Sequence, residues 1–147
     1  MNAALKPSHK EYERVFAEIT RSPFIESSED NLGQYWTVTY LYAEGYRDTD
    51  LEVKPLRLTF AIEIKSASSI DRIIPAIRQL KTITEEKQNV IPILAVPFMG
   101  ETGREFCATE RINWFDLSGN IHLDTPGLKV IIEGKPNRFK RRGRPTN

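Results

Sequence analysis

The chain has 147 residues, 39% of them hydrophobic and 28% charged, which suits one ordinary globular domain able to bury a real core. No apolar run approaches the roughly 20 residues a membrane helix needs, the first residues carry no leader pattern, and a single cysteine excludes an internal disulfide framework and suits a reducing, cytoplasmic setting. The net charge of +1 conceals an asymmetry: residues 135–147 hold six Lys or Arg and no acid, leaving fifteen basic against twenty acidic residues over 1–134.

In chain order, Ser8 followed by Glu11 has the spacing of a capping box, and Tyr12, Val15, Phe16 and Ile19 recur at helical spacing, so a helix is expected over 9–20. Residues 22–34 read as a polar connection. Tyr35 to Ala43, rich in aromatic and β-branched residues, reads as a strand. Leu51–Val53 reads as a short strand, with Lys54-Pro55 a break before the long alternating strand Leu56 to Lys65. Leu56, Leu58, Phe60, Ile62 and Ile64 share one face of that strand, and Arg57, Thr59, Ala61, Glu63 and Lys65 the other.

A helix is expected over about 74–88, with Pro75 in its first turn, where the missing N–H is harmless, and Ile77, Leu80 and Ile83 as its stripe. Val90 to Phe98 is a continuous apolar run, as in a strand covered on both faces. Residues 101–111 read as a short helix with Phe106 and a buried, unreactive Cys107 turned inward. A strand, a Ser118-Gly119 turn and a second strand follow, and Leu128 to Gly134 is the last strand. The expected order is α-β-β-β-α-β-α-β-β-β, a mixed sheet with helices against it.

The chemistry-bearing residues gather around the long strand. Glu63 and Lys65 share a face near its end, and Asp50 precedes it. Two carboxylates can hold a divalent cation through oxygen, and an ammonium beside them can position water or offset developing negative charge. The alternative is a solvated ion pair at a strand end. Asp116 and Asn120, flanking Ser118-Gly119, read as turn residues that accept backbone N–H bonds, with a substrate contact as the alternative. His9 and His122 have no metal-ligand spacing, and neither a Gly-rich phosphate loop, a nucleophile elbow nor a CxxC pair is present, so no organic cofactor is expected.

Asp50, the strand ending Ala61-Ile62-Glu63-Ile64-Lys65 and a following helix with Gln79 resemble the PD-(D/E)XK nuclease superfamily, although Thr49 stands where the superfamily has proline. The resemblance implies a restriction-endonuclease-like α/β core, a central mixed β-sheet flanked by helices in α-β-β-β-α-β order, over residues 1–134. It also implies a Mg²⁺- or Mn²⁺-dependent DNA endonuclease. Asp50 and Glu63 would be metal ligands with the Ile64 carbonyl, Lys65 the catalytic lysine and Gln79 an auxiliary group. Asp48 competes with Asp50 for the first acid.

Asp116-Leu117-Ser118-Gly119-Asn120, followed by Gly134-Lys135-Pro136-Asn137, is similar to segments in a set of uncharacterised bacterial endonuclease-like proteins. Some relatives of that fold are non-catalytic DNA binders or toxin–antitoxin components, which is the alternative function. The basic tail, 135–147, is expected to be flexible and to contact DNA through Arg138, Lys140, Arg141, Arg142 and Arg144. Arg142-Gly143-Arg144-Pro145 resembles the core of an AT-hook, which lies in the narrow minor groove. Cutting both strands of a duplex would suit a homodimer.

Overall fold

The computed structural model describes residues 8–22, 24–44 and 52–139. Seven strands and three helices follow in the order α1 (His9–Thr20), β1 (Ile25–Glu29), β2 (Gln34–Glu44), β3 (Glu52–Ile64), α2 (Ile70–Glu86), β4 (Val90–Val96), α3 (Glu101–Glu110), β5 (Asn113–Asp116), β6 (Ile121–Thr125) and β7 (Leu128–Ile132). One mixed sheet carries the strands in chain order, β1 to β7. β3, β4 and β5 are parallel neighbours, and every other adjacent pair is antiparallel. The parallel pairs are joined through α2 and α3, and the right-handed rule for such crossovers places both helices on one face of the sheet.

The first helix forms as its sequence implies. Ser8 Oγ accepts from the Glu11 N–H at 3.3 Å, and Arg21 ends the helix in the left-handed region, its N–H on the Ala17 carbonyl. Tyr12, Val15 and Phe16 are buried on the sheet, with Phe16 packed at ring-centroid distances of 5.2–5.4 Å from Phe115, Phe60 and Trp36. The α1 side of the sheet adds Val38, Leu58, Ile62, Ile93, Ile121 and Leu123. The α2–α3 side is a second core of Tyr35, Ala61, Leu94, Val96 and Trp114 under Ile73, Leu80, Ile83 and Cys107. β4 sends Ile93 and Ala95 into one core and Leu94 and Val96 into the other, as expected for a doubly covered strand.

The number of early strands agrees with expectation, but their identities do not. β1 lies inside the stretch read as a polar connection. It is an edge strand whose side chains from Glu26 to Glu29 are exposed, so it leaves no apolar alternation to read. The expected break at Lys54-Pro55 is absent, because Leu41 pairs with Pro55 and Tyr42 with Lys54 inside one continuous ladder. Proline is tolerated there because β4 begins opposite Thr59, so among the described residues no strand pairs with this part of β3 on the side away from β2. The helix expected over 74–88 begins at Ile70, after Ser69, and Pro75 stands inside it rather than in its first turn. Pro75 is exposed, and the buried stripe Ile73, Ala76, Ile77, Leu80 and Ile83 holds the helix down despite it.

Candidate functional site at the carboxyl edge of the sheet

Because β3, β4 and β5 are parallel, their carboxyl ends open on one edge. Glu63 stands beside Leu94, and Asp116 beside Val96 two strands from β3. The Glu63 and Lys65 side chains meet there as the period of two requires, with Lys65 Nζ 3.5 Å from Glu63 Oε2 and both partly exposed. The Lys65 N–H donates to the Ala95 carbonyl at 2.9 Å, which fixes the lysine backbone against β4. Ile64 turns to the opposite face and packs against the α1-side core. A pair this open to solvent contributes at most about 1 kcal/mol to stability, so its position matters more than its energy.

Gln79, expected as an auxiliary group, is not brought to Glu63. Gln79 is exposed on α2, and its Nε2 donates to the Leu32 carbonyl at 3.0 Å, tying the helix to the β1–β2 turn. Asp48 and Asp50 lie outside the described residues. Glu52, the first residue of β3, pairs with Glu44 at the opposite end of the strand from Glu63. Eleven residues of strand separate Glu52 from Glu63, about 36 Å at roughly 3.3 Å per residue. The short strand expected over 51–53 and the long one over 56–65 are thus one continuous strand, Glu52–Ile64. Among the described residues no three of His, Cys, Asp and Glu come together as metal ligands. Glu63 is one carboxylate of the two that the expected cation needs, and the other, Asp50, lies outside the described residues.

The Asp116–Asn120 turn is built as turn chemistry. Asp116 is fully buried, and its carboxylate accepts from the N–H groups of Met99 (3.0 Å), Ser118 (3.0 Å) and Asn120 (2.9 Å) and from Asn120 Nδ2. Gly119 adopts φ 105°, a backbone conformation that favours glycine. Asn120 then reaches out of its own turn: its Oδ1 accepts from the Lys135 N–H at 2.8 Å, and its Nδ2 donates to the Lys135 carbonyl at 3.1 Å. Ser118 Oγ accepts from the Arg138 N–H, and the Arg138 guanidinium meets Glu11 at 2.7 Å. The segments 116–120 and 134–138, well apart along the chain, are thus two halves of one clasp. The clasp fixes the start of the basic segment at the edge that carries Lys65.

A second polar cluster sits at the β1–β2 turn. Asp30 Oδ1 accepts from the N–H groups of Leu32 (2.8 Å) and Gly33 (3.1 Å) and from the Tyr35 hydroxyl (2.9 Å), and Oδ2 pairs with Lys87. The Lys87 hydrogen bond, followed by those from the turn, holds the Asp30 carboxyl well below the usual carboxylate range. The same bond from Asp30 raises Lys87. A folded pKa below the unfolded one stabilises above the unfolded value, near 4, and the gain is lost as pH falls towards the folded value. Urea midpoints of wild type are therefore expected to fall between pH 4 and 2 more steeply than those of Asp30→Asn. Identical acid limbs would show that Asp30 contributes nothing to the pH dependence.

An open groove of about 470 Å³ lies between α3 and β5–β7, lined by Arg104, Glu105, Trp114, His122 and Glu133 among others. Cys107 backs it, and burial pushes its thiol up to about 12, which fits the inert buried cysteine expected from the sequence.

No protein-family model matches the chain, and no curated protein matches it. A solved structure, the crystal structure of a repair endonuclease from Pyrococcus abyssi, is similar over 76% of this chain at 16% identity and a TM-score of 0.42. The likeness spans 47% of that protein's length. So loose a likeness assigns this chain neither a family nor an activity. No helix among the described residues is long and apolar enough to cross a membrane.

Proposed function

We propose that this chain binds DNA along the carboxyl edge of its sheet, gripping the phosphate backbone through Lys65, Lys135, Arg138 and the basic residues that follow, without cutting it. The observation that carries this reading is the clasp. By holding Lys135 and Arg138 to the β5–β6 turn, it starts a run of six cations two strand spacings, about 10 Å, from the strand that leads into Lys65. Glu63 and Glu11 partly neutralise Lys65 and Arg138 in the free protein. Phosphates replacing those carboxylates would gain charge-assisted bonds and release counterions. Such a module would act as a regulator, including as one half of a toxin–antitoxin pair.

The meeting of Glu63 and Lys65 favours a second reading, a metal-dependent endonuclease. On that reading Asp50, Glu63 and the Ile64 carbonyl would hold Mg²⁺ or Mn²⁺, which would polarise a phosphate when bound. Lys65 would orient water, and Gln79 would leave Leu32 to support them. One experiment separates the readings. Labelled duplex DNA is titrated at about 50 mM salt, where phosphate contacts are strong, with Mg²⁺ or Mn²⁺ present, against wild type, Lys65→Ala and Asp50→Asn. Binding without cleavage, weakened about threefold to fivefold in Lys65→Ala as for one lost phosphate contact, is the expected result. Cleavage abolished by both substitutions would establish the nuclease, and no binding would sink both readings.

A further inference from the structure

We infer that two copies of this chain pair edge to edge through β7, extending the sheet across a two-fold axis centred on Ile131. This interface is read from the strand itself and stands whether or not the protein binds DNA. β7 is the terminal strand of the sheet, paired only to β6 among the described residues. Natural sheets blunt such edges with charge, and β1 at the other end does so with Glu26 and Glu29. β7 is instead Leu128-Lys129-Val130-Ile131-Ile132, and Ile131 at its middle is 42% exposed, one of three large exposed hydrophobic residues among those described.

The polarity of the strand is self-complementary. Lys129 and Glu133 lie two residues either side of Ile131, on the same face as Ile131, and both are exposed. In an antiparallel pairing centred on Ile131, that residue meets its own copy. Val130 meets Ile132 of the second copy, and Lys129 meets Glu133 at both ends. The backbone phase agrees. The two-residue loop Pro126-Gly127 joins Thr125 to Leu128, and such a turn closes with a hydrogen bond between the residues flanking it. Alternation along the ladder then points the N–H and C=O of Leu128, Val130 and Ile132 at β6. Those of Lys129 and Ile131 point outwards, where the second copy needs them. β1 has no such register: centred on Ser27, it sets Ile25 against Glu29.

About six backbone bonds, two ion pairs and three apolar pairs make a small interface, so association at tens of micromolar rather than nanomolar is expected. Sedimentation of the full chain at about 1 µM and about 100 µM is the test. Wild type is expected to shift from monomer towards dimer. Lys129→Glu sets Glu against Glu, and Glu133→Lys sets Lys against Lys. Each is expected to weaken association about tenfold, the result of turning two cross-strand pairs from attraction to repulsion. The double variant Lys129→Glu/Glu133→Lys restores the complement and is expected to restore the dimer. All are surface changes, and far-ultraviolet circular dichroism checks that each variant keeps its fold. A chain monomeric at 100 µM, or a dimer indifferent to the single swaps, overturns the inference.

Discussion

Replacing Asp116 with alanine is expected to destabilise the protein by about 4 kcal/mol, the cost of leaving several buried donors without a partner. The carboxylate is fully buried and accepts from three backbone N–H groups and the Asn120 amide. Those donors come from the segment between β4 and α3 and from the β5–β6 turn, so one side chain closes two connections at once. Nothing in an alanine variant replaces it, and a water entering the space would satisfy only part of the set. For a domain of this size the loss corresponds to a fall in Tm of about 12 °C. Asp116→Asn keeps the shape and one acceptor oxygen but turns an amide N–H₂ towards donors, and is expected to cost about half as much. The clasp provides an independent readout. With Asn120 no longer held, trypsin cleavage after Arg138 is expected to quicken relative to wild type under native conditions. Urea unfolding decides the energetic claim: a loss below about 1 kcal/mol would mean that these bonds are readily replaced by water.

Replacing Lys140, Arg141, Arg142 and Arg144 together by glutamine is expected to lower affinity for duplex DNA about a hundredfold near 100 mM salt, and to reduce the slope of log K against log salt by about 3 to 4, one phosphate contact for each cation. These residues lie outside the described part of the structure. The expectation rests on their charge and on the clasp that fixes Lys135 and Arg138 just ahead of them. The loss should be uniform across sequences if they touch only phosphates. A preference of wild type for AT-rich duplexes that disappears with Gly143→Ala would instead mark Arg142-Gly143-Arg144-Pro145 as a minor-groove hook, since a Cβ blocks approach to the groove floor. Fluorescence anisotropy over a salt series measures both quantities. An unchanged slope would exclude the tail from the interface and leave Lys65, Lys135 and Arg138 to account for binding.

Features fixed by short-range chemistry are legible in the order of the residues alone. The Ser8 cap, the helical stripe of α1, the doubly covered β4, the inward Cys107 and the Asp116–Asn120 turn all follow from residues within a few positions of one another. So does the meeting of Glu63 with Lys65, because the strand period alone puts them on one face. Features that depend on a partner strand are not legible in this way. Ile25–Glu29 is a strand only because Gln34–Val38 offers it a ladder, and its own side chains contribute almost nothing to a core. Lys54-Pro55 looks like a break, yet among the described residues only β2 pairs with the third strand there.

The candidate site divides along the same line. By itself the sequence determined a mixed α/β chain, a Glu-x-Lys strand end and a basic carboxyl-terminal run, since each depends on composition or on a fixed local period. Only the tertiary structure decided that Glu63 and Glu52 stand at opposite ends of one long strand, that Asp30 is taken up by Lys87, and that Asn120 grips Lys135. Each of these joins residues far apart in sequence, or depends on which strands pair, and the chain reaches that outcome by burying two cores at once rather than through any local signal.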